Sequence, residues 1–491
     1  MSTLDPTTPV LVGAGQVGAT DSTGTISIPD LISSAARDAL ADTGAGTDGL
    51  RDDIQLVGVA DCLTWRPSDP GRELAEELGA KPRETVATRA SGTSPLDLLA
   101  DACQQIRDGE IDTALLAGCE AVRALQQGRI DNGQVTEDGP GPTRTLGSDK
   151  HANHPAEEAA ELRLPVHFYP LFENALRAAA GRGVEEHQRW VARLWARFAD
   201  VARTNPHAWN TAGPGAEEIA DPTNNRMVAF PYRKLTIANI YVNQAAAVVL
   251  CSAAAAERAG IPRENWVFVH GTAAANDHWY VGNRAELHRS PAIRAVGRAL
   301  LGHAGLAVDD IAYRDLYSCF PSAVQVAANE LGIELDEPHP APTVTGGLTF
   351  AGGPGSNYVM HSLATLHERL RKDPGASGLA TATGWYLTKH AAVVLSAREP
   401  QDRYAHHDVQ SEVDAHPARE IAEDYTGRAV VETYTVSHDR SGEPTIGHLV
   451  CLLDDGRRAF AMTQDPGTIA ALLERDPIGA RVDVPECTLV E

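Results

Sequence analysis

Over the first 127 residues, short apolar runs alternate with stretches whose apolar positions recur every three or four residues. Pro9–Val17 reads as a buried strand, and Asp30–Ala41 as a helix with its inner face at Leu31, Ile32, Ala35 and Leu40. Strand-like runs return at Ile54–Ala60, Glu84–Thr88 and Thr113–Ala117. Between the last two, Leu96, Leu98, Leu99, Ala102 and Ile106 keep helical spacing across Pro95–Ile106. This alternation predicts a mostly parallel sheet with helices on its faces. From 128 to 240 the rhythm breaks into Gly- and Pro-rich loops around two helical stretches, Pro170–Ala180 and Val184–Thr204. The second carries an apolar stripe through Trp190, Val191, Leu194, Trp195, Phe198 and Val201, as expected of an insertion lying over the core.

The alternation resumes at Gln244–Ser252 and Trp266–Val269 and passes through helices at Ser290–Ala304 and Pro321–Leu331. A Gly-rich segment at 346–355 follows, then a helix at Tyr358–Arg371 and a closing strand at Ala391–Ser396. In each half a Gly-rich turn opens a helix that returns to an apolar strand, Ser91–Pro95 in the first and Gly352–Ser356 in the second, which reads as an internal duplication. Residues 398–424 are polar and acidic and read as a linker. Beyond them, period-two runs at Ala429–Val436, Ile446–Leu453, Arg458–Met462 and Ala480–Val484, with one short helix at Asp465–Glu474, predict a small OB-like β-barrel. The expected organisation is therefore a first half (1–127 with 241–252), an insertion (128–240), a second half (253–397), the linker and a terminal β domain (425–491).

Charge narrows the partners. With 42 basic and 66 acidic residues the net charge is −24, which repels phosphate backbones and anionic lipid, so neither nucleic acid nor a membrane surface is expected as a partner. No run of apolar residues is long enough to span a bilayer. The N-terminus, from Met1 to Pro6, has no signal-peptide pattern. The 7 cysteines are scattered without CxxC spacing, so no metal cluster is expected and a reducing cytoplasm fits best.

The most conspicuous motif, Gly13-Ala14-Gly15-Gln16-Val17-Gly18, fits the GxGxxG dinucleotide fingerprint after a strand. A polar loop follows where the phosphate-binding helix would begin, and Asp61 lies too far along for the ribose. An NAD(P)-dependent oxidoreductase is thus one alternative, with glycines in a tight strand exit as the other.

Five further segments stand in a familiar order. Arg89-Ala90-Ser91-Gly92-Thr93 resembles the thiolase nucleophile motif, in which a Cys opens a helix. Tyr317-Ser318-Cys319-Phe320 resembles the Asn-Glu-Ala-Phe loop, or the His-Asp-Cys-Phe loop of sterol-carrier-type thiolases. Gly346-Gly347 with Gly352-Gly353-Pro354-Gly355 resembles the Gly-His-Pro segment. Gly378 to Gly384 resembles the strand delivering the second catalytic Cys, and Asn243 to Leu250 the strand closing the first half. The chain thus resembles the thiolase superfamily over 1–397, and its C-terminal domain resembles the extra domain of actinobacterial thiolase-like proteins. The resemblance implies duplicated βαβαβαββ halves in five layers, an acetyl-CoA acyltransferase activity, a role in lipid metabolism, and coenzyme A or acyl-CoA as a non-covalent ligand.

Thiolase chemistry requires a thiolate at a helix N-terminus, a His to activate it, a second Cys to move the α-proton, and oxyanion donors. In this chain Arg89 stands at the nucleophile position, Gly353 at the His, Thr383 at the second Cys and Tyr317 at the Asn of the third loop. A guanidinium stays protonated and does not attack a thioester. The expectation is an acyl-CoA binder without the standard Claisen reaction. Its alternative is altered chemistry, such as thioester hydrolysis or acyl transfer, with Cys319 or His390 as acid/base. Cys319 also reads as a small buried hydrophobe, and His390 as a strand-end residue. Backbone donors at Ser91, Gly92, Gly352 and Gly355 are expected to cradle the thioester or pantetheine, with Lys234 holding CoA. Tyr241 stands in a shortened pantetheine loop. The terminal β domain is expected to dock a protein partner.

Overall fold

The computed structural model describes residues 4–20, 23–45, 50–133 and 139–490. One large sheet runs through both halves of the core. In the first half Glu84–Thr88, Leu56–Val59 and Thr113–Glu120 lie parallel, then Gln244–Ser252 and Pro9–Gly18 each join antiparallel. In the second half Tyr313–Asp315 lies parallel to Ser377–Gly384, then Lys389–Ser396 and Val267–Asn276 each join antiparallel. The expected duplication is therefore present strand for strand, apart from the edge strand Glu84–Thr88. Even the irregularities repeat. Pro9–Gly18 bulges between Leu11 and Gly13, and Val267–Asn276 between Val269 and Gly271. The halves meet where Val10 and Leu11 pair with Phe268 and Val267.

Packing orders the layers. Helix Ile28–Asp42 buries Leu31, Ile32, Ala35 and Leu40 against the outer face of the first half, and helix Pro291–Ala304 covers the second in the same way. Between them Ser94–Arg107 and Tyr358–Lys372 share the central core, where Leu98, Leu99, Val359 and Leu363 meet both halves. Outer helix, strands, paired central helices, strands and outer helix give five layers.

The GxGxxG motif has a packing explanation. Gly13 and Gly15 sit where helix Ile28–Asp42 crosses the strand. A Cβ on Gly15 would overlap the Ala35 carbonyl and lie 2.6 Å from the Ala39 amide, while one on Gly13 would lie 2.7 Å from Thr43 Cγ2. These glycines permit close strand–helix approach and leave no room for a pyrophosphate. Gly18, by contrast, has only Gln244 Cγ at 3.9 Å. Gly15→Ala is accordingly expected to cost about 1–3 kcal/mol by overpacking, whereas Gly18→Ala should stay within about 0.5 kcal/mol. Urea denaturation of the two variants checks this, and equal midpoints would remove the packing explanation.

Several elements differ from the sequence expectation. The first of the insertion's two long helices runs Pro165–Ala179. Pro165 takes the first position, where its missing N–H is harmless, and Pro170 lies inside the helix rather than at its start. Helix Pro70–Leu78, capped by the Asp69 side chain, was not expected. Strand Arg144–Leu146 runs parallel to Glu84–Thr88 and covers that sheet edge from within the chain. Residues 398–424, expected as a linker, carry strand Ala405–Asp408, which pairs parallel with Val267–Asn276.

The C-terminal part forms a separate sheet in the order Arg458–Thr463, Pro444–Leu452, Gly427–His438, Arg481–Val484, Thr488–Val490, with helix Pro466–Glu474 beside it. Two strands of the insertion, Met227–Ala229 and Tyr232–Arg233, extend this sheet. Further bonds, Phe230 N to Val436 O at 2.8 Å and Thr433 Oγ1 to Leu171 O at 2.7 Å, fasten the two together. Among the described residues no helix is long and apolar enough to cross a membrane.

Candidate functional site

The two Gly-rich helix starts meet in the central layer. Ser91 N donates to Ser356 Oγ at 3.2 Å, which ties the start of Ser94–Arg107 to the turn before Tyr358–Lys372. Around this junction gather the loops at 317–320, 352–355 and 383–384. A Cβ on Gly92 would overlap the Thr383 carbonyl oxygen and lie 2.5 Å from the Tyr317 hydroxyl. Tyr317 is buried, and its amide donates to Thr381 Oγ1 at 2.9 Å. Its ring meets Tyr358 edge-on at 5.6 Å. Gly92, Tyr317 and Thr383 therefore close on one another, and a phenol fills the space beside the helix start.

Arg89 turns the other way. Its side chain is half exposed and pairs with Asp149 at 2.9 Å, so it does not enter this junction. Of the backbone donors expected to cradle a ligand, Ser91 N is engaged by Ser356 Oγ and Gly355 N by Gly353 O, and neighbouring amides are engaged as well. Thr93 N bonds Ser91 Oγ and Ser94 N bonds Ser91 O. Gly353 N bonds Asn239 O at 2.9 Å, and Gly355 N bonds Gly353 O at 2.8 Å. Gly352 takes a left-handed backbone pressed against the Gln244 side chain.

Cys319 and His390 do not form a pair. The Cys319 carbonyl accepts from Ala238 N at 2.9 Å, and its thiol lies deep among protein atoms although the residue keeps some accessible surface. Burial pushes that thiol up to about 12, against the opposing hydrogen bond to Tyr169. The Tyr169 hydroxyl donates to Trp385 O at 3.0 Å. His390 instead directs Nε2 to Asp277 Oδ2 at 3.2 Å and Leu387 O at 3.0 Å. Asp277 in turn accepts from Ser290 Oγ and Ala292 N, so this dyad braces the start of helix Pro291–Ala304. Burial raises the Asp277 carboxyl, but His390, Arg284 and Ser290 outweigh it and hold it below the usual carboxylate range.

In neutral buffer Cys319 thus has almost no thiolate. Iodoacetamide is expected to leave it unmodified in the native protein while labelling it fully in denaturant. Peptide mass spectrometry checks this, and native labelling on the time scale of a free thiol would restore Cys319 as an acid/base candidate.

The shortened loop at 236–243 is stitched to the same junction. Besides its bonds to Cys319 and Gly353, Asn239 N donates to Leu348 O at 2.9 Å. Tyr241 is half-buried, with the Lys234 ammonium 5.3 Å from its ring centre. Burial holds the Lys234 amine below its ordinary value, and Arg226 lowers it further. Sequence reasoning missed Tyr169, Asp97 and Trp279. None sits in a motif, and only the folded chain brings them near these loops.

A crystal structure described as a monomeric SCP2-thiolase-like protein type 1 from Mycobacterium smegmatis is 32% identical, with a TM-score of 0.86, over 99% of this chain and 98% of that one. The chain belongs to the SCP2-thiolase-like protein type 1 family. Residues 408–487 also match the thiolase-like protein type 1 additional C-terminal domain. More distant likeness reaches human mitochondrial 3-ketoacyl-CoA thiolase at 16% identity and TM-score 0.56, over 81% of this chain and 100% of that one. An Ltp2–ChsH2(DUF35) aldolase is similar at 19% identity and TM-score 0.58, over 80% and 98%. These two establish the thiolase fold. No curated protein matches the chain. The chain thus joins a thiolase-type core to an additional C-terminal domain.

Proposed function

We propose that this protein binds CoA or acyl-CoA on its thiolase core without carrying out the Claisen or thiolytic reaction. The closed junction of Gly92, Tyr317 and Thr383 carries the reading, since a phenol lies where the reaction needs thiol, imidazole and space. Arg89 and Gly353 supply neither group. A binding role draws its support from the fold and from Lys234, Tyr241 and the loop at 236–243. The capped edge strand and the monomeric state of the M. smegmatis relative support a monomer. A protein partner is the natural reader of such a ligand state. The similarity to an aldolase described with its DUF35 partner supports that role, as does the terminal domain as docking module.

Thermal shift with CoA and acetoacetyl-CoA, beside an assay for thiolysis, tests the proposal. The expected result is a saturable shift with no thiol-dependent cleavage. Cleavage of acetoacetyl-CoA, or no shift at millimolar CoA, would overturn it. The altered-chemistry reading has less support, because the Cys319 thiol is held protonated and His390 is committed to Asp277.

A further inference from the structure

We infer that the open edge of strand Arg458–Thr463 takes up an extended, lysine- or arginine-bearing segment of a protein partner as an added strand. The inference rests on the reading of the terminal domain as a docking module and gives that module its contact.

Strand Arg458–Thr463 lies last in the C-terminal sheet and pairs along its length on one side only, with Pro444–Leu452. The ladder fixes which backbone groups face outward. Leu453 N donates to Arg457 O at 3.0 Å, and the register then runs to Thr463 without a bulge. Ala459, Ala461 and Thr463 therefore bond inward, while Arg458, Phe460 and Met462 turn N–H and C=O to the edge. Arg458 finds partners there. Its amide donates to Glu420 O at 2.9 Å, and its carbonyl accepts from Ala422 N at 2.8 Å. That contact is a single parallel bridge between Ile421 and Arg458. Beyond it the neighbouring chain turns away at Asp424, whose φ is 51°. Phe460 and Met462 keep two donors and two acceptors that no described residue meets.

The space beside them suits a strand. A groove of about 660 Å³ is walled by Phe460 and Met462, by Ala156 and Ala159 of helix Pro155–Ala159, and by the loop at 423–426. The small helix side chains leave room for those of an incoming segment. Phe460, Ala461 and Met462 include none of the charges or prolines that keep an exposed edge unpaired. Elsewhere the chain covers such an edge itself, with Arg144–Leu146. Charge selects the occupant. The charged residues lining the groove, Glu423 and Asp424, are both acidic and exposed. Glu423 has His154 at 3.5 Å, and Asp424 makes no ion pair with any described residue. A second copy of this chain, at net charge −24, is repelled there, whereas a basic segment is attracted. Main-chain bonds to Phe460 and Met462 supply affinity, and the two carboxylates supply the preference for basic side chains.

Selection of displayed random octapeptides on the full chain, then fluorescence-anisotropy titration of a synthetic selected peptide, tests the edge. The expected peptides alternate apolar residues with lysine or arginine. Met462→Pro removes one outward N–H and leaves the inward ladder intact, so it should weaken binding about tenfold or more. Glu423→Gln with Asp424→Asn should weaken it about threefold or more and flatten its salt dependence. Should Met462→Pro fail to fold, the exposed carboxylate variant decides alone. Failure to select any peptide, selection of acidic peptides, or equal affinity for the carboxylate variant overturns the proposal. Unaltered binding to folded Met462→Pro overturns it as well, as does self-association that this variant abolishes, which would make a second copy the occupant. Peptides indifferent to both variants overturn the edge and leave the docking-module reading at another surface. CoA binding is read separately by thermal shift, so its failure leaves the edge standing.

Discussion

Arg458→Met is expected to destabilise the protein by about 3–5 kcal/mol, the usual cost of removing one partner from a buried, hydrogen-bonded ion pair. Arg458 is completely buried at the base of the C-terminal sheet. Its Nε and Nη2 fork onto the two Glu432 oxygens, each at 2.7 Å. Nη1 donates across the boundary to the carbonyls of Gly282 at 3.0 Å and Arg284 at 2.6 Å. One side chain therefore satisfies a carboxylate in the terminal domain and two carbonyls of the second half. Met fills similar volume and leaves all of them unpaired. Lys does little better, because a single ammonium cannot reproduce the planar fork. Adding Glu432→Leu to Arg458→Met should recover part of the loss, since the lone carboxylate then disappears. Chemical denaturation measures both changes, and limited proteolysis should release a fragment from the C-terminal domain earlier than in the wild type. A loss below about 1 kcal/mol, the range of exposed pairs, would show that the two domains do not depend on this contact.

Asp315→Ala should be comparably severe, about 3–5 kcal/mol, because it strands several buried donors at once. The carboxylate of this fully buried residue accepts Thr343 Oγ1 at 2.8 Å and Val344 N at 2.9 Å through Oδ1. Oδ2 accepts the Tyr358 hydroxyl at 3.0 Å and Ser362 Oγ at 2.5 Å. It thereby holds the turn before Gly346 to the helix Tyr358–Lys372, and so fixes the second wall of the candidate site. Burial, then the Asp315 charge, raises the Tyr358 phenol well above its ordinary value, so that hydroxyl remains a donor across the neutral range. Asp315→Asn keeps one acceptor oxygen and introduces two hydrogens facing donors, so an intermediate loss is expected. The urea midpoint distinguishes the two variants. In the Ala variant the CoA-dependent thermal shift should also shrink, because the loops at 317–320 and 346–355 lose their common anchor. Full retention of that shift would separate this network from ligand binding.

Much of the core was legible because its signals are local. Period-two and helical spacing located Pro9–Gly18, Ile28–Asp42, Gln244–Ser252, Pro321–Leu331 and the main C-terminal strands to within a few residues. The repeated grammar of a Gly-rich turn and a buried helix revealed the duplication. Short polar strands escaped notice. Arg144–Leu146 and Ala405–Asp408 carry no periodicity of their own and exist because a sheet edge and a bulged strand were available to pair with them. The extension of the C-terminal sheet by Met227–Ala229 likewise depends on a partner some two hundred residues away.

The feature most easily misread in the sequence is also the most instructive. Gly13 and Gly15 satisfy a dinucleotide pattern, and one sequence alone does not distinguish a glycine kept for a phosphate from one kept for a helix. The crossing of Ile28–Asp42 decides between them. The same division holds at the candidate site. Residue identities alone determined that Arg89, Tyr317, Gly353 and Thr383 carry neither the thiol nor the imidazole of the thiolase motifs they resemble, because those groups belong to the side chains themselves. Only the tertiary structure decided that Tyr317 closes against Gly92 and that Cys319 and His390 face different neighbours. Those outcomes depend on burial and on distances between segments remote in the chain, and neither is encoded at any one position.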